Sequence, residues 1–104
     1  MHRLTKQTNI QKKVKDAVWE RDGGKCCVCG YYPANPCCHI VNRAHQGRGI
    51  ETNLCSLCND CHRLYDNSSR EIHDRMDAII VKYMKSIYGE TWNKEDQRYS
   101  KWDM

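Results

Sequence analysis

Cys26-Cys27-Val28-Cys29-Gly30 and Cys58-Asn59-Asp60-Cys61-His62 decide how this chain is read. Each contains a Cys-x-x-Cys turn, which sets two sulfurs on one side of a tight bend. Two such turns, Cys26/Cys29 and Cys58/Cys61, complete a tetrahedral four-sulfur site with bonds of about 2.3 Å, the pattern of a zinc ion. The register has alternatives, because Cys55-x-x-Cys58 overlaps the second turn and Cys27 sits beside Cys26. Cys58 and Cys61 are preferred, since Cys61 directly precedes His62 and both then open a helix. Four thiolates close the coordination shell, so this zinc is expected to be structural.

The rest of the composition explains why a staple is needed. The chain has 104 residues, no Phe and eight Cys, and its mean hydropathy is −0.88. That length suits one domain. Its thin apolar core is of the kind that a structural metal supplements. Met1 to Lys15 is polar and basic, with no apolar signal core. No apolar run approaches the roughly 20 residues that span a bilayer. The expected setting is therefore the cytoplasm, with no membrane association and with thiols kept reduced. The first 50 residues carry nine Lys or Arg and three Asp or Glu, whereas the remainder carry eight and ten. A basic first half suits an anionic partner such as nucleic acid, and equally a solvated helix face.

Outward from the cysteines, the pattern predicts an α+β chain. Ile10, Val14, Ala17 and Val18 recur at helical spacing, which predicts a helix over 10–21 that ends at Asp22-Gly23-Gly24. Residues 1 to 8 are expected to fray. Strands are predicted over 37–41 and 53–57, joined by a mobile loop containing Gly47-Arg48-Gly49. A short helix opens at Cys58 and runs to Tyr65 or Asp66. Ile72, Met76, Ile79, Ile80, Tyr83, Met84 and Ile87 predict a long amphipathic helix over 69–88, closed by Gly89. The tail residues Trp92, Tyr99 and Trp102 can pack back onto the domain. The organisation expected is a basic N-terminal helix (1–25), a zinc-stapled core (26–66), and a C-terminal helix and tail (67–104).

The spacing of the remaining motifs is also informative. Cys-x-x-Cys-Gly is followed by His39-Ile40-Val41, by Gly47-x-Gly-Ile-Glu-x-Asn53-Leu, and by Leu57-Cys-x-x-Cys-His62. Over residues 18 to 66 this order closely resembles the HNH nuclease family, above all its short phage- and prophage-type members. The resemblance implies a ββα-metal fold, with two antiparallel strands, a loop and a helix around one divalent ion. It implies that His39 is the general base, that Asn53 ties down the loop and steadies that base, and that His62 is a metal ligand. Asp66 lies four residues beyond His62 and shares its helix face. In some relatives that position is a second ligand.

The residue types suit the chemistry in their own right. Phosphodiester hydrolysis needs an activated water, and a neutral imidazole accepts a proton near neutral pH. It also needs charge neutralisation at phosphate, which a divalent ion (Mg²⁺, Mn²⁺, Ni²⁺ or Zn²⁺) supplies. The expectation is in-line hydrolysis of double-stranded DNA. Arg43, just past the first strand, is a candidate phosphate clamp. Arg48, Lys12, Lys13 and Lys15 are candidate phosphate contacts, which position a protein without specifying sequence. One position departs from the family pattern. Many relatives place Asp or His immediately before the base as the strand's metal ligand, and here that residue is Cys38. Cys38 is then either a soft ligand favouring zinc-like metals or a packing residue. The alternative function is a non-catalytic zinc-stapled module that binds DNA or protein on a degenerate HNH scaffold. The resemblance suggests a phage or prophage protein acting with packaging or replication proteins in a bacterial cell. His2, His45 and His73 are read as solvated side chains, His73 on the polar side of the long helix.

Overall fold

Gly23 and Gly24 end the first helix where the sequence requires it. Both adopt positive φ, at 65° and 71°, and their N–H groups take the open carbonyls of Glu20 and Trp19. A Cβ on Gly24 would lie 2.7 Å from the Trp19 ring and 2.8 Å from Tyr32, so only glycine lets both rings close over this turn. The structure, a computed structural model, describes residues 9–98. The predicted fraying of residues 1 to 8, His2 within it, and the packing of Tyr99 and Trp102 lie outside the described residues.

The element order is α1 (Lys12–Asp22), β1 (Asn35–His39), β2 (Leu54–Leu57), α2 (Asn59–Asn67) and α3 (Arg70–Tyr88). Short 3-10 turns occupy Arg43–His45, Glu51–Asn53 and Glu95–Gln97. The two strands pair antiparallel and form the sheet. Among the described residues the fold is therefore a small α+β arrangement of one two-stranded sheet and three helices. Helix α1 packs on both strands, while α3 packs on α2.

β1 begins and ends two residues earlier than predicted. Its register pairs Asn35 with Leu57, Cys38 with Cys55 and His39 with Leu54, with an irregularity between Asn35 and Cys38. One extra β1 residue fits there, beside Pro36, which has no N–H to give a ladder. At the other end the ladder gives way to a side chain. Ile40 N donates to Asn53 O at 2.9 Å, and Val41 N then donates to Asn53 Oδ1 at 2.9 Å.

The loop expected to be mobile is pinned instead. Asn42 caps the 3-10 turn by accepting from His45 N. Gly47 N donates to Asn42 O, and a Cβ on Gly47 would lie 1.6 Å from Val41 O. Gly47 also bridges to Arg98, and Arg48 N donates to Gln97 O at 3.0 Å. The described tail thus packs onto this loop. Trp92 is buried and donates from Nε1 to Thr52 O at 2.9 Å, while Thr52 Oγ1 donates to Gln97 Oε1.

The core joins Ile40, Leu57, Tyr65, Met76, Ile80, Met84 and Trp92 to the buried cysteines. Beside it, the fully buried side chains of Val18 and Leu54 fill the space between α1 and the sheet. Behind the sheet, Arg21 and Asp22 form a part-buried ion pair at 2.8 Å. Arg21 donates to Leu54 O at 2.7 Å and Glu51 O at 2.8 Å. Asp22 accepts from Ser56 N at 3.0 Å and from the Tyr83 hydroxyl. One short helix end therefore anchors β2 and α3 together.

Candidate metal centre and adjoining histidine cavity

Cys26, Cys29, Cys58 and Cys61 bring their four sulfurs within 4.8 Å of one another. Cys29 Sγ and Cys58 Sγ are 3.7 Å apart, close to the edge of a sulfur tetrahedron with bonds of about 2.3 Å. Each turn points a backbone N–H at its first sulfur, from Cys29 to Cys26 and from Cys61 to Cys58, both at 3.5 Å. Cys58 is also the N-cap of α2. Cys27 N donates to Ser56 O at 2.9 Å, which ties the first turn to β2.

The donor set fits a divalent cation. Burial pushes the Cys26 thiol up, but backbone hydrogen bonds at Cys29, Cys58 and Val28 outweigh it and bring it to about 7. The Cys61 thiol is raised, first by burial and then by the neighbouring sulfurs of Cys58, Cys29 and Cys26. Four sulfurs this close resist carrying charge together, and a bound cation relieves that repulsion. This group could hold a structural metal ion such as zinc.

Cys27 and Cys55 are packing residues. Cys27 is held protonated by its hydrogen bond with Cys55 and by burial. Cys55 is fully buried. The register that uses Cys55 or Cys27 as a ligand is therefore set aside. Among the described residues, the four cysteines are the only group of three or more His, Cys, Asp or Glu close enough to share an ion.

Next to this knot, α2 presents His62 and Asp66. Their Nε2 and Oδ2 atoms are 3.1 Å apart, the separation of two adjacent ligands on one ion with bonds of about 2.1 Å. Asp66 and His39 line a common cavity of about 380 Å³, with Asn42, Arg43 and Ala44 completing its wall. A second space of about 340 Å³ adjoins it, again lined by His39 and Asp66, and also by Arg70 and His73. His62 lines neither space and reaches them through its contact with Asp66.

Asn53 is fully buried. Besides accepting from Val41 N, its carboxamide donates to Val41 O at 3.1 Å and to Arg48 O at 2.8 Å. It therefore fixes both ends of the loop that follows His39.

Of the two readings of Cys38, its surroundings favour the packing residue. It is 1% exposed, on the face of β1 opposite His39, and pairs in register with Cys55. It lines neither cavity. The strand irregularity falls before Cys38 and leaves the alternation of Cys38 and His39 intact, so Cys38 packs in the core and does not join His62 and Asp66.

The basic candidates divide. Arg43 stands at the His39 cavity and donates to Asn9 Oδ1 at 3.1 Å. Arg48 is half-buried in the pinned loop. Lys12, Lys13 and Lys15 are exposed on α1, Lys12 paired with Asp16 at 2.9 Å, and none lines the cavity.

His73 departs from its expected solvated position. It is half-buried, with its ring stacked on Tyr65 at 4.3 Å. Helical periodicity placed it on the polar side, yet α3 turns that side towards the end of α2. No family model and no curated protein matches this chain.

Proposed function

We propose that the protein is an HNH-type endonuclease with a ββα-metal core, hydrolysing phosphodiester bonds of double-stranded DNA in the cytoplasm of a bacterial cell. The observation that carries this reading is the shared cavity of His39 and Asp66, with His62 against Asp66 and Asn53 fixing the loop after His39. Among the described residues no helix is long and apolar enough to cross a membrane.

In this mechanism His39 takes the proton of the attacking water as general base. Asn53 holds the loop that follows His39, so the base keeps its place while substrate enters. Arg43 meets the phosphate from the cavity wall. His62 and Asp66 would hold a divalent ion, which when bound supplies positive charge at the scissile phosphate. In-line attack leaves 5′-phosphate and 3′-hydroxyl ends. The four cysteines would hold a structural ion and take no part in this chemistry. The basic first half and the phage-type motif order support a role beside packaging or replication proteins.

A second reading, a DNA- or protein-binding module without catalysis, draws support from Cys38, whose burial leaves β1 without a ligand beside His39. Supercoiled-plasmid nicking separates the two. Wild type is expected to nick with Mg²⁺, Mn²⁺, Ni²⁺ or Zn²⁺ and not without added metal. His39→Ala is expected to lose about 10²–10⁴-fold in rate, and Asp66→Ala to raise the metal concentration required. Wild type inert with every metal while still binding DNA favours the module.

A further inference from the structure

The His39 cavity has a second wall, supplied by the first turns of α3, which no part of the mechanism above uses. Arg70 and His73 stand there, across from His39 and Asp66. His73 Nδ1 lies 2.8 Å from Tyr65 O. A carbonyl only accepts, so the proton sits on Nδ1 and Nε2 is the ring nitrogen left for a ligand.

The ring is held in place before anything binds. It stacks on Tyr65 at 4.3 Å and 24°. The Tyr65 hydroxyl donates to Asp77 Oδ1 at 2.6 Å and lies 3.1 Å from Ile40 O. Ile40 follows His39 in the chain, so one tyrosine fixes both walls relative to each other. A side chain already ordered in this way loses little entropy on binding.

We propose that this wall is a second phosphate subsite, in which His73 Nε2 and the Arg70 guanidinium hold a DNA backbone phosphate next to the one that faces His39. The proposal rests on the nuclease reading. Arg70 pairs with Asp74 at 3.8 Å across an exposed surface, a contact that yields readily to phosphate. Both residues lie in the first turns of a 19-residue helix whose N-terminus, capped by Ser69, favours an anion. Asp74 and Asp77 stand near the ring with Arg70, and Lys94 pairs with Asp77 at 3.2 Å. A phosphate oxygen accepts from Nε2–H of the doubly protonated ring.

Two substitutions separate this role from a structural one. His73→Asn keeps an N–H near Tyr65 O and loses the reach of Nε2. His73→Gln puts an N–H near the place of Nε2. Binding of a labelled duplex is followed by anisotropy across a salt series, with Ca²⁺ replacing the cleaving metals. His73→Asn is expected to bind about 5-fold more weakly, with a salt slope smaller by about 0.9, the value for one lost phosphate contact. His73→Gln regains affinity but not slope, and Arg70→Ala loses slope like His73→Asn. Unchanged affinity and slope in His73→Asn overturn the subsite. If His73→Asn fails to fold, an unchanged slope in Arg70→Ala overturns it. Should His39→Ala abolish nicking while His73→Asn binds like wild type, the subsite falls and the nuclease reading stands. Should wild type bind no duplex, both fall.

Discussion

The side chain of Asn53 pairs with the backbone of Val41 as a strand would, accepting from its N–H at 2.9 Å and donating to its carbonyl at 3.1 Å. A third bond, from Nδ2 to Arg48 O at 2.8 Å, closes the loop. The two bonds to Val41 are buried and the third is part-buried, so each orphaned group would cost about 1–3 kcal/mol. Asn53→Ala is therefore expected to destabilise the fold by about 3 kcal/mol or more, read by urea unfolding. Asn53→Asp keeps the acceptor but turns a donor into a second oxygen facing two carbonyls. It is expected to be no more stable than Asn53→Ala, and an Asp variant as stable as wild type would show that the Nδ2 bonds contribute nothing.

Zinc stoichiometry tests the cysteine knot. Purified protein is expected to release one zinc per chain on thiol modification, and chelation is expected to unfold it, since such sites contribute on the order of 10 kcal/mol to folding. Cys61→Ser should lose the ion. Cys37→Ser, whose half-buried cysteine stands outside the four-sulfur group, should keep it. Zinc retained in Cys61→Ser and lost in Cys55→Ser would move the site to the overlapping register.

The Arg21–Asp22 corner carries a pH signature. Burial alone would raise the Asp22 carboxyl, but the Arg21, Tyr83 and Ser56 hydrogen bonds more than offset it and hold it below 3.8. A lowered folded-state pKa means that the unfolded chain takes up the proton first. The stabilisation is complete above 3.8 and is lost as pH falls through the folded value. Asp22→Asn is expected to cost about 3 kcal/mol near neutral pH. The gap between variant and wild type should narrow only in acid. A gap that stays constant down to about pH 2 would detach stability from this carboxylate.

The sequence made some elements legible and hid others for physical reasons. The Cys-x-x-Cys spacing locates the knot because short chelating turns act locally, and α1 and α3 follow from apolar periodicity closed by Gly23 and Gly89. The exit of β1 was not legible, because a side chain, Asn53, takes over the ladder from a place 12 residues distant in the chain. The anchoring of the Gly47 loop depends on Gln97 and Arg98, a tertiary contact without a local signature. His73 was misread because its stacking on Tyr65 depends on how α2 and α3 pack. Its spacing eight residues after Tyr65, across the Asn67-Ser68-Ser69 break, was the available clue.

Cys38 offers the sharpest test of how the cavity is built. Its thiol faces Cys55 across the strand pair and is 1% exposed, and its Sγ lies 3.8 Å from His39 O, a contact at the outer limit for sulfur. Removing a buried sulfur leaves a small void, so Cys38→Ala is expected to cost about 1–2 kcal/mol in urea unfolding. The order in which divalent metals stimulate nicking should stay as in wild type, because the sulfur is on the far face of the strand from His39. A thiolate ligand would behave otherwise: its loss would weaken zinc-like metals and leave magnesium comparatively favoured. A changed metal order in a folded Cys38→Ala protein would return Cys38 to the cavity and require β1 to twist there.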